Sequence, residues 1–389
     1  MKNQEPAGRI QTLDVIRGAA LIGIFLVNIS LMTSLDYLKY MSAVELERTG
    51  IDRGLELLIQ WLVEGSFITM FSFLFGVGFY IFMSRAESKG HQVKRLFSRR
   101  LVGLLAFGLL HLVFLWMGDI LTLYALTGFL LLMFYKRKTK TILIWAFVSL
   151  GLFFLLMLSQ TLMPANMVKQ IQTESKGMVE DAAAAYAAAP SLEWLTYRLT
   201  VEVPFVAGGL PFLMLFVLGL FLLGFYAGRK QWFYPNGFST AWFKRLRNVC
   251  LALSVPFVAL DALYEFGIFD AGVHEFYLTD TIMRLSAIFL GFAYIAMFAL
   301  WVESGKWAEL QRTLAAMGRM ALTNYLMQTL LVYLIVFSTG TFGSWSLWQN
   351  VLLVFSIIIL QAVLSRVWLS RYQQGPLENV WRRFTYAKS

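Results

Sequence analysis

His111 stands in an apolar run, GLLHLVFLWMGD, that closes eight residues later on Asp119. Imidazole can take up and return a proton near neutral pH, and a carboxylate nearby can orient it or stabilise its protonated form. Arg100 precedes His111 by eleven residues. Eleven helical steps of 100° return to within about 20° of the starting direction and rise about 16 Å, so the two share a helix face. Arg17 and Asn28 repeat that separation in the first apolar segment. Two rails therefore carry a cation at one end and a polar group near the middle. A long substrate with phosphates at one end and a reactive group at the other suits this layout, because arginine binds phosphate strongly. Acyl-coenzyme A, acetyl-coenzyme A above all, has that shape. On this reading His111 is the base or transient acyl carrier, Asp119 holds it, Asn28 faces the developing oxyanion, and Arg17 and Arg100 anchor phosphates. The competing reading keeps Arg100 as a loop cation of a positive-inside pattern and pairs Arg17 with Asp14.

Further polar groups stand at membrane depth, where they are costly and hence candidates for function. Asn324 and Gln328 are four residues apart and share a face, with Thr323 and Tyr325 beside them, so the stripe lines a cavity or bonds to a neighbouring helix. Tyr124 is a further cavity candidate, and Glu64, Thr69, Asp280 and Arg284 are weaker ones. No Gly-x-Ser-x-Gly elbow and no Walker loop is present, and Gly76 and Gly78 lie inside an apolar span. His91, His111 and His274 have no zinc spacing and Cys250 is the single cysteine, so neither a metal centre nor an internal disulfide is expected.

The elements that position these groups follow from composition. Of 389 residues 58% are hydrophobic and 14% charged, in continuous apolar runs rather than alternation. Lipid offers the backbone no hydrogen bonds, so such runs of roughly 20 residues must be helices. The expected fold is an all-α integral membrane protein, a single helical bundle over 1–389 with about ten transmembrane helices. Spans fall near 13–34, 64–83, 101–117, 120–135, 141–163, 207–228, 249–268, 283–302, 321–338 and 348–369. The third and fourth are short, and 101–135 reads either as a hairpin turning at Gly118 and Asp119 or as one kinked helix. Charge favours the hairpin: basic loops flank it on both sides, Arg85 to Arg100 before and Lys136 to Lys140 after, so an even number of crossings lies between. The same rule puts both termini on the cytoplasmic side. The net charge of +10 is thus topological, and no nucleic-acid face is expected. Residues 164–206 form an external loop of short interfacial helices, either a lid over a site or a solvated connector, and 370–389 a cytoplasmic tail.

The blocks LDVIRGAALIGIFLVNI, SFLFGVGF, GLLHLVFLWMGDILTLYALTG, GRMALTNYLMQ and GPLENVWRRFTY together resemble the bacterial YeiB-like family, a domain of unknown function, over nearly the whole chain. Asn379 departs from the aromatic residue expected after Gly-Pro-Leu-Glu. Through its first span the family is similar to a wider group of transmembrane acyltransferases, including acyltransferase-3 proteins and heparan-alpha-glucosaminide N-acetyltransferase. In acyltransferase-3 proteins a functional histidine follows an arginine on the first span, where this chain has Arg17 followed by Asn28; His111 is the proposed replacement. The resemblance implies acyl transfer from cytosolic acyl-coenzyme A, in the bacterial cytoplasmic membrane, to an externally accessible sugar, lipid or small molecule. The alternative is a small-solute or lipid transporter. Membrane lipids are partners in either case, and a homodimer remains open.

Overall fold

The structure is a computed structural model that describes residues 10–41 and 48–387. Sixteen α-helices are formed there: α1 Gln11–Thr33, α2 Asp36–Met41, α3 Gly50–Leu62, α4 Ser66–Ser88, α5 Val93–Phe114, α6 Leu121–Leu131, α7 Thr139–Ser159 and α8 Ala165–Ala187. They continue with α9 Leu192–Tyr197, α10 Val203–Arg229, α11 Thr240–Glu265, α12 Glu275–Glu303, α13 Ala308–Arg319, α14 Ala321–Thr339, α15 Leu347–Arg371 and α16 Pro376–Tyr386. Among the described residues nine helices are long and apolar enough to cross a membrane, and Leu121–Phe134 is a shorter apolar tenth. All ten expected spans are thus helical. Several start earlier than hydropathy places them: α5 begins at Val93 and α11 at Thr240. Lysine and arginine are good helix formers whose heads reach past the apolar zone, so the backbone ladder continues where the hydropathy falls.

Burial ranks the helices. The apolar window of α1 is 67% buried and that of α11 only 17%, which puts α1 in the middle of the bundle and α11 at its rim. Large side chains point outward from α7 and α15, Phe147, Leu155, Ile359 and Val363 among them, as a lipid solvent allows. Since lipid supplies no hydrophobic push between helices, close backbone approach must hold them. Gly76 shows how: a Cβ there would lie 2.0 Å from the Phe221 carbonyl oxygen of α10, and one on Gly224 would lie 1.9 Å from that of Phe73 on α4.

Residues 101–135 form the hairpin and not a kinked helix. At Gly108 a Cβ would stand 2.5 Å from the backbone nitrogen of Thr122, so only glycine lets α6 fold back this closely on α5. The turn between them is covered: Trp116, Met117 and Asp119 are all buried. Part of the cover is the segment 164–206. Its α8 is 23 residues long rather than short, consistent with a run of alanines that lose no side-chain entropy in a helix. After α9 the chain passes through a π-helical turn, Arg198–Glu202, whose Arg198 and Glu202 are buried. Of the tail, α16 is likewise docked. In α16 the Glu378 carboxylate accepts from the backbone N–H of Thr323 at 3.0 Å and from its hydroxyl at 2.6 Å. Asn379, the residue that departs from the family pattern, is exposed and lies outside those contacts.

Candidate active site

His111 sits in the last turn of α5, three residues before its end at Phe114, and not at mid-helix. α5 both starts earlier and ends three residues sooner than the expected span 101–117, which accounts for this difference. The imidazole is 1% exposed, and each of its nitrogens has a partner. Nδ1 lies 2.9 Å from Asp119 Oδ1 and Nε2 lies 2.9 Å from Thr329 Oγ1 on α14. Asp119 Oδ2 accepts the backbone N–H of Thr122 at 2.7 Å, which anchors the carboxylate at the start of α6. With Asp119 as a carboxylate, which can only accept, the proton is assigned to Nδ1, and Nε2 then carries its lone pair toward the Thr329 hydroxyl. The order carboxylate, imidazole, hydroxyl is the arrangement that makes a histidine a directed base and a hydroxyl a nucleophile or proton relay. Tyr325, one helical turn before Thr329, packs its ring 5.1 Å from the imidazole, and Trp116 closes the other side at 6.4 Å.

The structure distributes the remaining candidates differently. Asn324 and Gln328 face α15: the Asn324 amide donates to Ser365 Oγ at 3.1 Å and to the Met317 carbonyl at 3.2 Å, while Gln328 donates to Gln361 Oε1 at 3.1 Å. Gln361 in turn donates to the Asn324 carbonyl at 2.9 Å. This is interhelical bonding, and no cavity lining is needed to explain it. Tyr124 belongs to the α4–α10 seam, its hydroxyl 2.6 Å from Ser72 Oγ and its ring edge-on to Phe221. Asn28 is half-buried on α1, and with both imidazole nitrogens taken it is not bonded to His111. Arg17 pairs with Asp14 at 3.1 Å. The Arg100 guanidinium carbon lies over Trp381, 3.8 Å from its ring centre, while the Trp381 indole donates to the Arg100 carbonyl at 2.7 Å. Arg17 and Arg100 both lie toward the N-terminal ends of their helices, α1 and α5.

Two groups were not foreseen. Thr329 lies one residue beyond the Asn324–Gln328 stripe and turns away from it toward His111. The second is built around Arg198, which is completely buried. Its Nε donates to the Val113 carbonyl at 3.0 Å and its Nη2 to that of Leu112 at 2.5 Å, the carbonyls that directly follow His111 on α5. Nη1 donates to the Tyr186 hydroxyl at 3.2 Å. Burial pushes the Tyr186 phenol well above its ordinary range, so it stays a neutral donor and acceptor. The segment 164–206 is therefore clamped to the end of the helix that carries the histidine. The sequence signal available was an arginine and a glutamate four residues apart, which a solvated helix shows equally often.

A bundle of apolar helices around a buried carboxylate–imidazole–hydroxyl chain, with the segment 164–206 packed over the hairpin turn, defines a polytopic membrane protein with a buried polar centre. Residues 227–388 match the family described as a protein of unknown function, DUF418. The chain is 30% identical to the uncharacterised protein YxaH of Bacillus subtilis (strain 168), covering 97% of this chain and 94% of that one. It is 31% identical to an uncharacterised 39.9 kDa protein encoded in the amylase 3′ region of Bacillus acidopullulyticus, with 97% and 94% covered, and 27% identical to the uncharacterised YeiB of Escherichia coli (strain K12), with 96% and 95% covered. No solved structure matches. The chain belongs to this YeiB-like DUF418 family.

Proposed function

We propose that the protein is a transmembrane acyltransferase of the bacterial cytoplasmic membrane, with both termini on the cytoplasmic side, that moves an acyl group, acetyl in the simplest case, from cytosolic acyl-coenzyme A to an acceptor reached from outside. The observation that carries the reading is the buried Asp119–His111–Thr329 chain, with 2.9 Å on each side of the imidazole. In the reaction the acceptor's O–H or N–H displaces Thr329 at Nε2, or is relayed through it. Nε2 takes the proton as the acceptor attacks the thioester carbonyl. The C–S bond then breaks, and the imidazolium returns the proton to the departing thiolate, leaving acylated acceptor and free coenzyme A. Asp119 holds the ring and faces the charge that develops on it. Asn28, on α1, is the proposed oxyanion donor. Arg17 and Arg100 are the proposed phosphate anchors, with Arg100 held over the Trp381 ring.

The test is retention of coenzyme A by purified protein and hydrolysis of acetyl-coenzyme A in detergent. Both are expected in the wild type, with hydrolysis lost in His111→Ala; absence of both in the wild type refutes the reading. One observation favours transport instead: Glu202 is a buried carboxylate without a hydrogen-bond partner among the described residues, the kind of group that lines ion and solute pathways. Solute flux into proteoliposomes without any acyl donor would decide for that alternative.

A further inference from the structure

Beyond the hairpin turn from His111 lies a small pocket with a distinct chemistry. Glu202 lines it together with Trp116, Tyr186, Tyr333 and Phe342, and its free volume of about 10 Å³ admits a group the size of one water or one ammonium. Glu202 is 1% exposed, and neither carboxylate oxygen has a hydrogen-bond partner among the described residues. Its neighbour Arg198 approaches to 3.4 Å, but the guanidinium donates to the Leu112 and Val113 carbonyls and to Tyr186 instead. The charge of Glu202 is therefore balanced in part by Arg198, and the Tyr186 hydroxyl also acts on it, but neither carboxylate oxygen holds a well-aligned hydrogen bond, an expensive condition for a buried carboxylate. The pocket also contains Leu31 and Ser34 of α1 and the chain just after it, while Arg17 lies seventeen residues earlier, about 25 Å along the helix. It is thus far from the basic end and one ring away from His111, since Trp116 stands between the two.

We infer that the Glu202 pocket is a binding site for a protonated amine, the ammonium hydrogen-bonding to the carboxylate inside the aromatic wall. The acyl-transfer reading, on which this further assignment rests, makes it the anchor for an amine-bearing acceptor entering on the side opposite the acyl donor. The amine site itself is independent of that reaction and is measured without any acyl donor.

The experiment titrates the full-length protein in detergent with ethanolamine, and in parallel with ethylene glycol as its neutral counterpart at matched ionic strength. Thermal unfolding and tryptophan fluorescence, to which Trp116 and Trp194 contribute, are the readouts. Ethanolamine is expected to stabilise the wild type saturably and ethylene glycol is not, with the apparent Kd raised at least about tenfold in Glu202→Gln. Phe342→Leu, which removes the ring stacked on Tyr186 at a half-exposed position of the wall, raises Kd about threefold and carries the test if Glu202→Gln does not fold. Equal response of wild type and Glu202→Gln, no change in Phe342→Leu, or no saturable effect of ethanolamine overturns the inference and leaves the pocket to a water molecule. Amine binding without acetyl-coenzyme A hydrolysis would retain the site and refute acyl transfer; hydrolysis without amine binding would do the reverse.

Discussion

α14 presents two polar stripes to two neighbours, and they do different things. Toward α15, Asn324 and Gln328 meet Ser365 and Gln361 in a closed set of amide and hydroxyl bonds. Toward the α5–α6 hairpin, Thr329 meets an imidazole backed by a carboxylate. Both stripes satisfy polar groups away from water, but only the second contains groups that exchange protons. Amides bonded to neighbouring helices hold them together, whereas a hydroxyl that faces a histidine lone pair can be displaced by a substrate hydroxyl or amine. Polarity at membrane depth is thus a necessary mark of a site and not a sufficient one; the partner's chemistry separates glue from catalyst.

Substitutions sharpen that contrast. His111→Ala is expected to lower acetyl-coenzyme A hydrolysis by about 100-fold or more, since it removes the base. Asp119→Asn should fall into the same range, because an amide at that place lets the ring adopt the wrong tautomer. Thr329→Val should cost about tenfold, the worth of one buried hydrogen bond in the reacting set, with Thr329→Ser near wild type; equal activity in Val and Ser would remove the hydroxyl from the mechanism. Trp381→Ala, which unstacks Arg100, should raise KM for acetyl-coenzyme A about threefold and leave kcat alone. On the other stripe Gln361→Leu should cost about 1 kcal/mol in detergent unfolding without changing turnover, and adding Gln328→Leu should recover part of that loss. A large loss of turnover in Gln361→Leu would erase the distinction between the two faces.

Much of this was legible before any tertiary contact was known. The apolar runs allow only helices, the basic loops on both sides of 101–135 require a hairpin, and eleven residues between Arg100 and His111 place them on one face of α5. His111 and Asp119 were legible as a pair because the hairpin closes locally, within eight residues. Thr329 was not, since its partner is 218 residues away, and a threonine in an apolar helix usually bonds to its own backbone. Arg198 and Glu202 were hidden for a related reason. In sequence they look like a surface i, i+4 pair, and only the docking of α8–α10 over the hairpin turn buries them.

Sequence by itself determined the class of molecule, its helices and the histidine with its carboxylate, because the bilayer constrains the backbone locally and a hairpin is a local object. Tertiary structure alone decided which polar groups meet: Thr329 with His111, Gln328 with Gln361, Trp381 with Arg100, and Arg198 with the end of α5. Those choices depend on which helix faces touch, a property of the whole bundle that no spacing along one segment contains.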